Sequence, residues 1–268
     1  MTPDMSPDLA FWLALVLKMA VTAGFVVGAS LIAERAGPAI GAMIATLPIA
    51  AAPAYIILSF DHDSRFIADG AIGSLSANAI TGLFSLVYVI LAQRLGLISV
   101  VIALALWFAL AFAASSIPWT IVSVIAFNIV MFAVCIPLAR RYCHVPMPLA
   151  RRRWFDVPLR AGLVACNVAI VVSVSTRVGP AVTGQLAVFP IVLTSLILIF
   201  QPRIGGPATA SLLANGIWGL AGFSTALVVL HLVAVPFGTW PAYGLSLATS
   251  IVWNLTVWAM RRRARARV

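Results

Sequence analysis

The chain has 268 residues, of which 63% are apolar and 9% charged, with a formal net charge of +10. An ordinary soluble domain carries about 25% charged residues, so this composition excludes one and describes a polytopic membrane protein. The positive charge does not point to nucleic acid, because the arginines gather between or after apolar stretches, at Arg140 to Arg153 and Arg261 to Arg267, and not over a folded face.

A bilayer core about 30 Å thick takes about 20 apolar residues of helix. Nine such spans are predicted, at 9–33, 39–59, 67–91, 96–114, 118–139, 157–176, 181–200, 206–233 and 241–260. Before the first, Met1 to Asp8 is acidic and lacks the positive start of a secretory signal, so that span is expected to stay in the mature protein. Breakers separate the spans: Gly37-Pro38, Asp61-His62-Asp63, Gly96, Ile117-Pro118, Gly179-Pro180, Gln201-Pro202 and Pro236 to Pro241. Nine spans put the chain ends on opposite sides. With the N-terminus outside, 14 of the 17 Lys and Arg residues fall on the cytoplasmic side, leaving Lys18, Arg65 and Arg177. The positive-inside rule therefore predicts N-out, C-in, in a bacterial-type inner membrane.

A pattern recurs along this topology. Arg35-Ala36-Gly37-Pro38-Ala39, with Pro48 ten residues after Pro38, is echoed by Arg177-Val178-Gly179-Pro180-Ala181 with Pro190. Ser74-Leu75-Ser76-Ala77-Asn78-Ala79-Ile80-Thr81-Gly82-Leu83 is echoed by Ser211-Leu212-Leu213-Ala214-Asn215-Gly216-Ile217-Trp218-Gly219-Leu220, with seven of ten positions identical. The first echo has an offset of 142 and the second of 137, a difference ascribed to a short loop deletion. Spans 1 to 4 then match spans 6 to 9, and because five spans separate the starts of the two copies, their orientations are reversed. The fold class expected is an all-α polytopic membrane protein with an inverted 4 + 1 + 4 repeat. Its parts are a first four-helix unit over 1–116, a linker helix and basic loop over 117–156, and a second unit with a basic tail over 157–268. Inverted repeats of this kind are characteristic of secondary transporters.

The candidate site follows from polar and helix-breaking residues within the spans. Asn78 and Asn215 are placed by inverted symmetry near the bilayer midplane, where an unsatisfied amide is costly. Ser74, Thr81 and Ser85 share the Asn78 face of span 3 at helical spacing, and Ser211, Gly219 and Gly222 share that of Asn215 on span 8. Pro48 and Pro190 interrupt spans 2 and 7, freeing backbone carbonyls in corresponding helices. Thr46, Gln185 and Thr194 add polar groups nearby. The bland counterpart is that small and amide side chains only cement helix packing. Lys18 reads as a snorkelling residue at the outer interface, and Arg94 and His231 read as boundary residues. No carboxylate stands at mid-membrane, and no metal cluster, nucleotide loop or catalytic constellation is visible. Three cysteines without CxxC spacing, Cys135, Cys143 and Cys166, read as free thiols.

Four short helices duplicated in inverted orientation resemble the drug/metabolite transporter superfamily and its small multidrug resistance branch. Gly37-Pro38 followed by Leu47-Pro48 is also similar to small inner-membrane proteins of the GlpM type. The resemblance implies an integral-membrane transporter of small solutes without a cofactor. Span 1 lacks the membrane glutamate of the multidrug branch, so proton-coupled cation export by that route is not implied. With no buried acid, a neutral or anionic solute is favoured. The expected function is a secondary transporter or facilitator, not an enzyme, acting through Asn78, Asn215, Ser74, Ser211, Thr81, Gln185, Pro48 and Pro190. Its partners are the lipid bilayer and a small-molecule solute, with the oligomeric state left open. The alternative is a non-transporting scaffold or subunit of an envelope complex, and a lipid enzyme ranks last.

Overall fold

The computed structural model describes residues 7–35, 51–145 and 153–265. Every regular element among them is a helix: α1 (Pro7–Arg35), α2 (Ala51–Asp61), α3 (Ser64–Leu91), α4 (Ile98–Ser115), α5 (Ile121–Arg140), α6 (Asp156–Ala187), α7 (Ile191–Ile204), α8 (Gly206–Phe237) and α9 (Thr239–Arg265). Five continuous runs are long and apolar enough to cross a bilayer, as a multi-pass membrane protein requires: Ser64–Leu91, Ile98–Ser115, Ile121–Arg140, Asp156–Ile204 and Gly206–Phe237. Pro48 and the first part of the second predicted span lie outside the described residues.

The helices sort by which faces they bury. In α4 the buried residues Ala103, Trp107, Ala111 and Ala114 repeat at helical spacing, while Val101, Phe108 and Phe112 point outward. In α5 the buried set is Val124, Asn128, Phe132, Cys135 and Ala139, with Val122, Ile129 and Val134 exposed. One apolar stripe inward and another outward is the pattern of a helix at the lipid boundary. By contrast, α3 is buried on nearly every side. Its sequence allows this, because Gly70, Ala71, Gly73, Ser74, Ser76, Ala77, Ala79 and Gly82 leave room for neighbours to approach. α8, α6, α5 and α4 all pack on it.

α3 and α8 make the most extensive helix pair, and they run antiparallel. His231 Nδ1 meets the Ala68 carbonyl at 2.8 Å near one end. Asn78 Nδ2 meets the Leu220 carbonyl at 2.8 Å in the middle. At the other end the Ala92 carbonyl closes against Gly206.

The seventh predicted span is not one helix. Gly179, at φ 75° and ψ 173°, ends the helix over 156–178, a conformation open to glycine because it has no Cβ. Pro180 then starts a half-helix over 180–187, which gives way at Val188 to Pro190 before α7 begins. Asn167 Nδ2 reaches the Leu186 carbonyl at 3.4 Å, so the chain doubles back at Gly179. Asp156 and Arg203, at the two far ends of this hairpin, close it with a bidentate ion pair at 2.6 and 2.7 Å.

Element boundaries repeat at the larger of the two offsets. α2 and α7 end at Asp61 and Ile204, and α3 and α8 begin at Ser64 and Gly206, offsets of 143 and 142. The twin Ser-Leu-x-Ala-Asn stretches, 137 apart, are therefore out of step with the helices that carry them by more than one turn.

Candidate functional site

The polar side chains of α3 line up along its length and each meets a different neighbour. Near the end where α3 begins, Ser74 Oγ donates to the Gly184 carbonyl at 2.7 Å and accepts from the Tyr55 hydroxyl at 2.6 Å. Tyr243 of α9 in turn donates to the Tyr55 carbonyl at 2.7 Å. One residue on from Gly184, Gln185 Nε2 donates to Ser76 Oγ at 3.3 Å. The half-helix 180–187 is thus stitched to α3. The stitching depends on glycine, since a Cβ at Gly184 would overlap the Gly70 carbonyl and one at Gly73 would overlap the Ala181 carbonyl.

Midway along α3, Asn78 Nδ2 donates to the Leu220 carbonyl and to Ser224 Oγ, both at 2.8 Å. Ser224 passes its proton to Asn128 Oδ1 at 2.8 Å, and Asn128 Nδ2 donates to the carbonyls of Leu75 at 3.0 Å and Val124 at 2.8 Å. These bonds tie α3, α8 and α5 at one buried level. The Leu220 carbonyl sets the Asn78 amide orientation, because a flipped amide would turn an oxygen toward another oxygen. Asn78 Oδ1 is left as a buried acceptor with no partner among the described residues.

Further along, Thr81 Oγ1 accepts from Trp107 Nε1 at 3.0 Å. Trp107 packs edge-on against Phe189 at 5.1 Å between ring centroids, in the break before Pro190, and Phe108 completes the aromatic group. The break is therefore held from α4. Around Pro190, its own carbonyl accepts from both the backbone and the hydroxyl of Thr194 at 2.8 Å. Tyr88 donates to Gln201 Oε1 at 3.1 Å toward the other membrane surface.

Of the residues singled out in the sequence, Ser74, Thr81, Gln185 and Pro190 belong to the seam between α3 and the broken helix, while Asn78 of α3 faces α8 and α5. Asn215 does not join Asn78. It donates to the Cys143 carbonyl at 3.2 Å, just past the end of α5, and to the Ser211 carbonyl of its own helix at 2.9 Å. Leu220 lies opposite Asn78, and Asn215 is five residues, about 7.5 Å, nearer the start of α8. Ser211 is buried one turn nearer still to that start. Asn128 and Ser224 were missed. Asn128 is a lone amide in an apolar span, the same signal that marked Asn78, but it falls in the helix read as a linker. Ser224 carries no signal beyond its place one turn after Leu220.

A cavity of about 240 Å³ lies between the first turns of α3, the start of the half-helix and the α4–α5 connection. Asp69, Gln185, Ser115 and Trp119 supply its polar lining, and Ile72, Ile117, Pro118 and Pro180 are among its apolar walls. Asp69 lies near the start of a predicted span, away from mid-membrane. It is indeed only five positions after Ser64, but it faces a pocket that the folded half-helix creates.

At the same end, His62 Nε2 and Ser175 Oγ lie 2.9 Å apart, and the ring stacks on Phe66 with centroids 3.7 Å apart. The Ser175 proton goes to the Val172 carbonyl, so His62 is the donor. Burial pulls the His62 pKa below its ordinary value, against the raising influence of Asp61 and Asp63. Lys18, read as snorkelling, forms an ion pair with Asp61 at the end of α2. Among the described residues, no three His, Cys, Asp or Glu side chains come together as a metal site would need.

No protein-family model matches the chain, and comparison with characterised proteins and with solved structures also found no match.

Proposed function

We propose that this protein is a secondary transporter or facilitator of a small polar solute, working by alternating access between two inverted four-helix units. The observation that carries this reading is the broken helix, 180–187 and α7, packed through glycines on the polar face of α3. Interrupted helices at a repeat interface are where transporters bind their solutes. The antiparallel α3–α8 pair and the 142-residue recurrence of helix boundaries support the inversion. In this reading the solute meets the seam of Ser74, Ser76, Gln185 and Asn78, and the unpartnered Asn78 Oδ1 accepts a hydrogen bond from it. The acid shortage that favoured a neutral or anionic solute no longer holds at the outer end, where Asp69 lines the cavity.

A second reading, a non-transporting scaffold, is favoured by the closure of the Asn78, Ser224 and Asn128 bonds among themselves. Accessibility separates the two without knowledge of the solute. In a background with Cys135, Cys143 and Cys166 replaced by serine, a Ser76→Cys variant in sealed proteoliposomes is treated with a membrane-impermeant maleimide from either side. Alternating access predicts labelling from both sides. Labelling from one side only, or from neither, sinks transport and leaves the scaffold.

A further inference from the structure

We infer that the cavity around Asp69 is an outward-facing binding site for a small organic cation, a primary ammonium compound with an apolar body. This deepens the transport reading and rests on it only for the idea that the bound cation moves on.

The chemistry of the lining selects the ligand. The indole and hydroxyl donors in the cavity are engaged within the protein, Trp119 Nε1 with the Ala114 carbonyl at 2.9 Å and Ser115 Oγ with the Phe112 carbonyl at 2.7 Å, and one N–H of the Gln185 amide goes to Ser76. The acceptors are not engaged. The Asp69 carboxylate makes no hydrogen bond or ion pair to any described residue, and Gln185 Oε1 likewise lacks a partner among them. Arg65, one turn before Asp69, is exposed and forms no ion pair with it, and no Lys or Arg lines the cavity.

A site whose single charged side chain is a carboxylate, and whose indole and hydroxyl donors are already engaged, takes a donor with one positive charge. The half-buried indole of Trp119 adds a face for that charge. Metal cations are poorly served, since a hard ion wants about six oxygen ligands and most of the walls here are apolar. The apolar walls and the modest volume suit an ammonium group on a small hydrocarbon body.

The test is calorimetric titration of the detergent-purified protein with benzylammonium chloride, with sodium benzoate and benzyl alcohol as the anionic and neutral counterparts of the same size. Saturable binding of benzylammonium alone is expected. Asp69→Asn should weaken it about tenfold or more, the loss of a charged hydrogen bond, Asp69→Glu should recover part of it, and Asp61→Asn, which only unpairs Lys18, should leave it unchanged. Monodispersity and helical content are checked for each variant, and if Asp69→Asn does not fold, Trp119→Leu takes its place with a drop of the same sign. Equal affinity of wild type and Asp69→Asn, preference for benzoate, or no saturable binding by folded protein overturns the assignment. Because binding is read at equilibrium, a protein that binds benzylammonium but fails the two-sided labelling test defeats transport and not the site.

Discussion

Asn78 is the residue on which most of the interior depends, because its amide reaches α8 twice and, through Ser224, reaches α5 as well. Removing it leaves Ser224 with a donor missing and the Leu220 carbonyl with its helical bond and the 3.4 Å contact of the Ser224 hydroxyl. Hydrogen bonds between membrane helices are worth about 0.6 kcal/mol on average and up to about 2. Asn78→Ala is therefore expected to lower stability by about 1 kcal/mol, read as a lower thermal midpoint in detergent. Asn128→Ala should do the same. Because both act through Ser224, the double variant should fall short of the sum by about 0.5 kcal/mol or more, and strict additivity would mean that the two amides are not one network. Asn215→Ala, at a side chain that meets the segment just past α5 and its own helix, should leave the Asn78–Asn128 coupling unchanged in the same measurement.

At the scale of elements, the seam between the half-helix and α3 tolerates no side-chain growth. Gly184→Ala and Gly73→Ala each drive a methyl into a backbone carbonyl that cannot swing aside, whereas Gly82→Ala meets only the edge of the Phe132 ring at 3.0 Å. Overpacking of this kind costs about 1–3 kcal/mol, and for the first two the expected readout is loss of the monodisperse peak in size-exclusion chromatography. Gly24 of α1 is the contrast, exposed and with open space around it. Gly24→Ala should be neutral or stabilising, by up to about 1 kcal/mol of helix propensity. Equal damage at Gly24 and Gly184 would contradict the close approach of the half-helix to α3.

Over the whole molecule, charge marks the two surfaces. Asp61 and Arg203, near the ends of α2 and α7, each pair with a helix that precedes them, Asp61 with Lys18 and Arg203 with Asp156. The first pair is half-exposed, and such pairs contribute about 0–1 kcal/mol. The bidentate, less exposed Arg203–Asp156 pair should matter more, so Asp156→Asn is expected to lower the thermal midpoint further than Asp61→Asn. His62 makes the end of the molecule where α2 meets α3 sensitive to pH. Its folded-state pKa lies below the unfolded value of about 6.5. Stability is thus fully present above that pH and is lost as pH falls from it toward the folded value, where the unfolded chain binds more protons. The melting midpoint should drop between about pH 7 and pH 5, and His62→Gln should remove that part of the drop. An identical pH profile in the variant would assign the effect to other groups.

Composition and arginine placement determined by themselves that the chain is a helical, multi-pass membrane protein, because burial in lipid leaves a backbone few options and the hydropathy of a span is a local sum. Gly37-Pro38 and Gly179-Pro180 stand 142 residues apart in the sequence, and at the second of them glycine at positive φ and proline at a helix start act locally. The twin Asn stretches had the stronger identity and the wrong phase. Seven matching letters do not say which face of a helix meets which neighbour, and a five-residue offset turns a side chain well away from its apparent mate. Only the tertiary structure decided that Asn78 meets Leu220 and Ser224 while Asn215 meets the end of α5, and that Asn128 in the linker helix closes the network. It alone also turned Asp69 from a span-end acid into the wall of a cavity, because that wall exists only where the chain reverses at Gly179 and lays the half-helix on α3.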